Sequence, residues 1–325
     1  MLRRTLLAAL ALPALARAQA QAEPLSLAIP FDLLPDTAEA AHMISGGHLA
    51  RQGFAPRLVV AEGSADAIRR LLAGEVALAR CAAIDLFVAV ARGNVPLVSV
   101  ATVAQTGAFH LAAPRDRPLP EAAALRGRAV AVAAAGDSTD LLLDLLLRRA
   151  ELPPDAVRRG AAGGVAGAAR LLREGGADAA ILPAGAVAAL RRAGVPIESW
   201  PTDRAAPMPG GIYLTTRETI ARNAELVVRV LRALRASAEE LRGDPRAALA
   251  RLLQDRPEGG EAEALASATQ AFIRESWLSQ GEANLLRNVP SLWQGADDAI
   301  RGARLAAVPD WTALWTNDLI ERASR

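Results

Sequence analysis

The chain has no lysine; its 37 basic residues are all arginine. Schiff-base chemistry and a Walker phosphate loop both require that missing ammonium, so both are excluded. Cysteine is reduced to Cys81, which rules out an internal disulfide and reads as a small buried apolar residue. Histidine occurs three times, at His42, His48 and His110. Six residues advance a helix by about 600°. The His42 and His48 rings are therefore expected to face different directions, with Gly46-Gly47 interrupting the helix between them, and no metal or cofactor site is expected. Aromatic residues make up 3% of the chain and no basic stripe interleaves with them, which argues against a nucleic-acid partner.

What is present begins with an export pattern. Arg3 and Arg4 precede an apolar run from Leu6 to Leu12, Pro13 breaks it, and Ala18-Gln19-Ala20 supplies small residues. That order reads as a cleaved secretory signal ending near Ala20, on a Sec or a twin-arginine route. The run is far shorter than the roughly 20 residues that span a bilayer. Loss of Arg3, Arg4 and Arg17 with the signal leaves one basic residue fewer than the 35 acidic ones, so the exported chain is close to neutral. Its length then suits two domains of ordinary size.

From Glu23 onward short apolar runs alternate with amphipathic stretches, the pattern of βαβ units around a mostly parallel sheet. Strands are expected at Leu25–Ile29, Arg57–Ala61, Val76–Ala79 and Pro96–Val103, with helices near Thr37–Gln52, Ser64–Ala73 and Ile84–Arg92. A second set follows Gln105: strands at Phe109–Ala113, Ala129–Ala133, Val157–Arg159, Asp178–Leu182, Ile197–Trp200 and Gly211–Thr215, with helices near Ser138–Ala150, Val165–Glu174 and Ala184–Arg192. Gly74-Glu75-Val76-Ala77 and Gly175-Gly176-Ala177-Asp178 each join a Leu-Leu-bearing helix to an apolar strand, an internal echo of two related halves. Beyond Thr216 the chain turns helical. Asn223 is expected to cap a helix through Leu241 ended by Gly243, Asp244-Pro245 to start the next, Pro257–Gly260 to form a turn, and Glu261–Ser276, Glu282–Val289 and Trp311–Ala323 to be helical.

Leu125-Arg126-Gly127-Arg128-Ala129-Val130-Ala131-Val132, followed by Gly136-Asp137-Ser138-Thr139-Asp140-Leu141-Leu142-Leu143, resembles the second-lobe opening of the nitrate, sulfonate and thiamine-precursor type of ABC transporter substrate-binding proteins. Gly175–Ile181 and the run Tyr213-Leu214-Thr215-Thr216-Arg217 before Glu225–Leu234 fit the same family, and the similarity covers roughly Leu25 to Leu253. The chain departs from the family in carrying Ala77 where the first-lobe repeat commonly has aspartate, and in its first loop, Phe31–Asp36. The resemblance implies a type II periplasmic-binding-protein fold: two α/β lobes, each a mostly parallel sheet flanked by helices, with a helical C-terminal segment. The lobes are expected at 23–104 plus 212–325 and at 105–211, after a signal peptide at 1–20. It also implies a small-molecule ligand held between the lobes, an ABC permease as membrane partner, a periplasmic location and a monomer. A two-lobed enzyme of the same fold, of the precursor-synthase type, and a solute-sensing component of a signalling system are the alternatives.

Ligands of open parallel sheets sit beyond the carboxyl ends of the strands, which nominates Asp32, Ser64, Arg80, Gln105, Gly136, Asp137, Ser138, Thr139, Pro183 and Gly210 as ligand-binding. Gly136-Asp137-Ser138-Thr139 opens a helix whose free N–H groups suit a polar or anionic group; the plainer reading is a cap. The Gly-Asp-Ser turn resembles that of GDS-type esterases, but their base is a histidine downstream of the serine, and all three histidines here precede Ser138. No catalytic residue is therefore expected. Arg80, expected at a strand end, is suited to pairing with a carboxylate, sulfonate or phosphate group, the equal alternative being an ordinary surface arginine. Ser64 opens a first-lobe helix after Gly63, as a pure cap or as a ligand contact, and Asp32 and Asp36 suit either an amine or the part of solvated caps.

Overall fold

The computed structural model describes residues 22–30, 35–253 and 259–325. The expected signal peptide, Asp32 and the Pro257 end of the expected turn lie outside them; Gly259 and Gly260 already belong to a helix. Ten strands form two five-stranded sheets. The first holds β1 (Glu23–Ile29), β2 (Phe54–Val60), β3 (Leu78–Ala82), β4 (Leu97–Thr102) and β10 (Gly211–Thr216) in the order β2-β1-β3-β10-β4. The second holds β5 (Phe109–Pro114), β6 (Ala129–Val132), β7 (Arg158–Ala161), β8 (Ala179–Pro183) and β9 (Ile197–Pro201) in the order β7-β6-β8-β5-β9. β10 and β5 run antiparallel to both neighbours, and each is the first strand after the chain changes sheets. The echoed segments feed β3 and β8, which hold the same third place in their sheets. This is the two-lobed type II architecture expected from the resemblance.

The inner strands are short and apolar because helices cover both faces, leaving no solvent side that would favour polar alternation, whereas the edge strands β2 and β7 keep exposed residues, arginines among them. Every residue of β3, β4 and β8 is buried. The first sheet is flanked by α1 (Ala38–Ser45), α2 (His48–Arg51), α3 (Ser64–Leu72) and α4 (Ala83–Gly93), and the second by α5 (Ser138–Arg149), α6 (Val165–Glu174) and α7 (Ala184–Arg192). The carboxyl-terminal segment adds α8 (Arg217–Gly243), α9 (Pro245–Leu253), α10 (Gly259–Phe272), α11 (Pro290–Gly302) and α12 (Asp318–Arg322). α8 runs through Asn223 with a break in its backbone, and Asn223 Oδ1 accepts from Leu226 N at 3.0 Å, the cap expected there. Asp244 Oδ1 likewise accepts from Ala247 N at 3.0 Å.

The helix expected at Trp311–Ala323 is instead a 3-10 turn, Trp311–Leu314, and the short α12, with an extended Trp315 bridged to Ser99 of β4 between them. Three further expectations are corrected. First, the helix expected at Glu282–Val289 is a single 3-10 turn, Glu282–Asn284, and the regular helix starts at Pro290. A residue before proline is pushed to extended backbone, as Val289 is, while proline suits the first helical position. The freed segment is tied down instead: Asn288 Oδ1 accepts from Ser99 Oγ at 2.9 Å and Thr102 Oγ1 at 2.8 Å, locking it to β4. Second, β3 begins and ends later than expected, so Arg80 lies within the strand, opposite Tyr213. Third, Gly46-Gly47 does break the helix, but the left-handed Gly47 (φ 72°) turns α2 back so that the His42 and His48 rings converge, with centroids 5.0 Å apart.

Candidate functional site

The two sheets meet along a seam built from the ends of β1, β3 and β10 on one side and β5, α5 and α7 on the other. The space left there is about 10 Å³, lined by residues such as Asp36, Ser64, Arg80, Ala82, Phe109 and Gly211. That is about the room one water needs. The seam as it stands has no room for a larger molecule.

Arg80 is buried, as a basic residue in the middle of a strand can be only when it is paired. Its Nε donates to Glu39 Oε1 at 2.5 Å, and Nη2 donates to the Asp36 carbonyl oxygen. Gly211 makes room for this guanidinium, since a Cβ there would sit 2.6 Å from Nη2. Tyr213 Oη donates to the same Glu39 oxygen at 3.4 Å. The charge that sequence reading offered to an anionic ligand is thus already matched by Glu39. Glu39 Oε2 and Asp36 Oδ1 are buried without a hydrogen-bond partner among the described residues. Burial pushes the Asp36 carboxyl up to about 6, against the lowering pull of Arg80. Gly185 at the start of α7 brings the second lobe onto this carboxyl, because a Cβ there would lie 2.6 Å from Asp36 Oδ1.

A few residues away the lobes are latched by hydroxyls. Ser138 Oγ donates to Asp85 Oδ2 at 2.5 Å and lies 3.2 Å from Ser64 Oγ, which in turn accepts from Ala82 N at 3.1 Å. Burial raises the Asp85 carboxyl to about 7, only partly offset by the Ser138 hydrogen bond. Ser138 has no histidine partner: His42 contacts Glu240 and His48, His48 also contacts Arg51, and His110 contacts Ser199.

The remaining expected residues are mainly tied to their own backbone surroundings. Asp137 caps α5, its Oδ1 accepting from Thr139 N at 3.0 Å, Asp140 N at 3.1 Å and Thr139 Oγ1 at 2.7 Å. Two of the N–H groups that the helix start would offer a ligand are thereby consumed. Thr139 Oγ1 also accepts from Ala133 N at 2.8 Å, and Gly136, with φ 76°, donates to Asp140 Oδ2 at 2.8 Å. Gln105 Nε2 donates to the carbonyls of Thr102, Asn284 and Arg287, which fixes the first crossing, while its Oε1 has no partner among the described residues. Gly210 lets the two crossings touch, since a Cβ there would meet Thr106 O at 2.2 Å. Pro183 ends β8 directly before α7. Sequence reading missed Glu39, Asp85 and Gly185, and the room that Gly211 makes for Arg80. The only signal for the first two was a carboxylate inside an otherwise apolar helix face, and the glycines carried none.

The chain matches the model of the NMT1/THI5 like family over residues 43–248 and belongs to that family. No curated protein matches it. Among solved structures it is similar to the periplasmic aliphatic sulphonate binding protein SsuA from Escherichia coli, at 19% identity and TM-score 0.67, covering 91% of this chain and 99% of that one. It is similar to the periplasmic nitrate-binding protein NrtA from Synechocystis PCC 6803, at 13% identity and TM-score 0.69, covering 94% and 89%. It is also similar to a ligand-binding component of an ABC-type import system from Staphylococcus aureus, solved with zinc bound, at 14% identity and TM-score 0.70, covering 93% and 99%.

Proposed function

We propose that this protein is the periplasmic solute-binding component of an ABC importer, which clamps a small polar organic molecule between its lobes and catalyses nothing. The lobes are taken as 23–104 plus 212–325 and 105–211, and export is taken to remove the first 20 residues. A monomer that presents its closed form to a permease fits this role. The observation that carries the reading is the seam itself: Asp36, Ser64 and Arg80 of the first lobe face Ala108 and Phe109 of the second across a space too small for a solute, close to the Ser138–Asp85 contact between the lobes.

The chemistry of the seam narrows the ligand. Asp36, Glu39 and Asp85 are acceptors or reluctant acids, and the one guanidinium is already paired. A buried acceptor without a donor costs about 1–3 kcal/mol, which a ligand bearing N–H or O–H groups recovers. Within the polar class this favours a donor-bearing molecule, such as an amine, amide or amino-heterocycle, over a carboxylate or sulfonate. Ser64, Ser138 and Thr139 remain proposed contacts; Ser64 and Ser138 are released from each other when the lobes part, while Thr139 stays bonded to Asp137 and Ala133 within the second lobe.

Against the enzyme alternative, Ser138 faces a carboxylate and no histidine, so it lacks the base a serine nucleophile needs. The test is a thermal-shift screen of small polar metabolites, in which a ligand at 100 times its Kd adds about 2.7 kcal/mol to the native state. A donor-bearing solute is expected to raise the melting temperature, and less so in Ser138→Ala. Ester hydrolysis that disappears in Ser138→Ala would overturn the reading.

A further inference from the structure

Away from the lobe seam, three metal-ligating side chains meet where α1, α2 and α8 pack together. His42 Nε2 lies 2.9 Å from Glu240 Oε2 and 3.3 Å from His48 Nε2, and His48 Nε2 lies 3.3 Å from the same carboxylate oxygen. A four-coordinate zinc ion with bonds of about 2.0–2.1 Å holds neighbouring ligand atoms about 3.3 Å apart. The three atoms therefore already span one face of such a tetrahedron, with a modest opening of the shortest edge. The arrangement depends on Gly46, where a Cβ would lie 2.8 Å from His42 Cε1 and 2.8 Å from His48 Nε2. Both histidines are buried, whereas Glu240 is half exposed. His42, Arg51 and Glu240 line a surface depression of about 400 Å³, which Asp244 and Arg251 complete.

We propose that His42, His48 and Glu240 form a site for a divalent first-row transition-metal ion of the zinc type, with its fourth position open to the depression. Two imidazoles and one carboxylate favour such an ion over magnesium or calcium, which prefer all-oxygen shells. One neighbour opposes it. Arg51 Nη2 donates to His48 Nδ1 at 2.6 Å, which leaves the His48 proton on Nε2, where the metal would bind. Metal binding moves that proton to Nδ1 and turns Arg51 away, which its exposed side chain can do. Arg51 thus sets the affinity of the site without being a ligand. The proposal is independent of the solute-binding reading, since none of these residues lies at the lobe seam.

The experiment is calorimetric titration of the chelator-treated, dialysed full chain with zinc chloride. One equivalent is expected to bind, and magnesium chloride to give no binding heat. Glu240→Gln, a change at a half-exposed side chain whose folding is checked by circular dichroism, is expected to weaken binding by roughly tenfold or more, since even the loss of groups behind the ligands costs 10–100-fold. The His42→Ala, His48→Ala pair is expected to abolish binding, and Arg51→Ala to tighten it. If the histidine pair fails to fold by circular dichroism, Glu240→Gln decides. Absence of one-equivalent uptake, or an affinity unchanged in Glu240→Gln, would overturn the site.

Discussion

Arg80 and Glu39 show how one residue's partner decides its role. A guanidinium at the end of an apolar strand suits a ligand anion, but inside the strand it is too deeply buried to await one. Glu39, one turn into the first-lobe helix region, supplies the counter-charge from within. Breaking a buried pair by removing one partner costs about 3–5 kcal/mol, because the survivor keeps its desolvation penalty. Glu39→Gln is therefore expected to lower the unfolding free energy by an amount of that order, read as a lower urea midpoint with the slope of the transition unchanged. A near-neutral effect would mean that Arg80 is solvated and free after all. This pairing was not legible in the sequence: Glu39 and Arg80 are 41 residues apart, and nothing local marks either as the other's partner. Asp85 was hidden in the same way, as one carboxylate in the apolar opening of α4.

At the scale of elements the sequence was far more informative. All ten strands and helices α1–α7 were foreshadowed, α1 and α2 as one interrupted stretch, because burial of the inner strands forces short apolar runs and because Gly and Asp mark the ends of helices. The α5 cap on Asp137 and the break at Asn223 followed from the local chemistry of short polar side chains that accept backbone N–H groups. What failed did so where tertiary contacts override local preference. Residues 282–289 have ample helix formers, yet Asn288 exchanges a helix for hydrogen bonds to β4 and the C-terminal strand-like segment. Pro290 was the available signal for where the next helix starts. The histidine pair was misjudged for a related reason: helical periodicity separates residues 42 and 48, but a left-handed glycine between them resets the phase.

At the scale of the whole molecule, the buried carboxyls at the seam couple stability to protons. Asp85 and Asp36 both have carboxyl groups raised by burial, to about 7 and about 6, from an ordinary 3.8. The closed, folded state thus binds more protons than the unfolded one between those values. Stability from these groups is fully present below about 3.8 and is lost as pH rises through about 6 and then 7. Asp85→Asn keeps the shape but removes one of these protonation steps. Thermal unfolding across pH 5 to 8 is expected to show a shallower decline in that variant than in the parent. An unchanged slope would mean that Asp85 stays hydrated in the closed form.

The most direct test of solute capture between lobes is hydrogen–deuterium exchange with and without the solute that the thermal-shift screen identifies. Lobe closure on a ligand predicts slowed exchange in peptides from both sides of the seam together: residues 35–39 and 78–85 of the first lobe, and 105–111, 136–141 and 183–187 of the second. Protection confined to one lobe, or spread evenly over the chain with no focus at the seam, would contradict it.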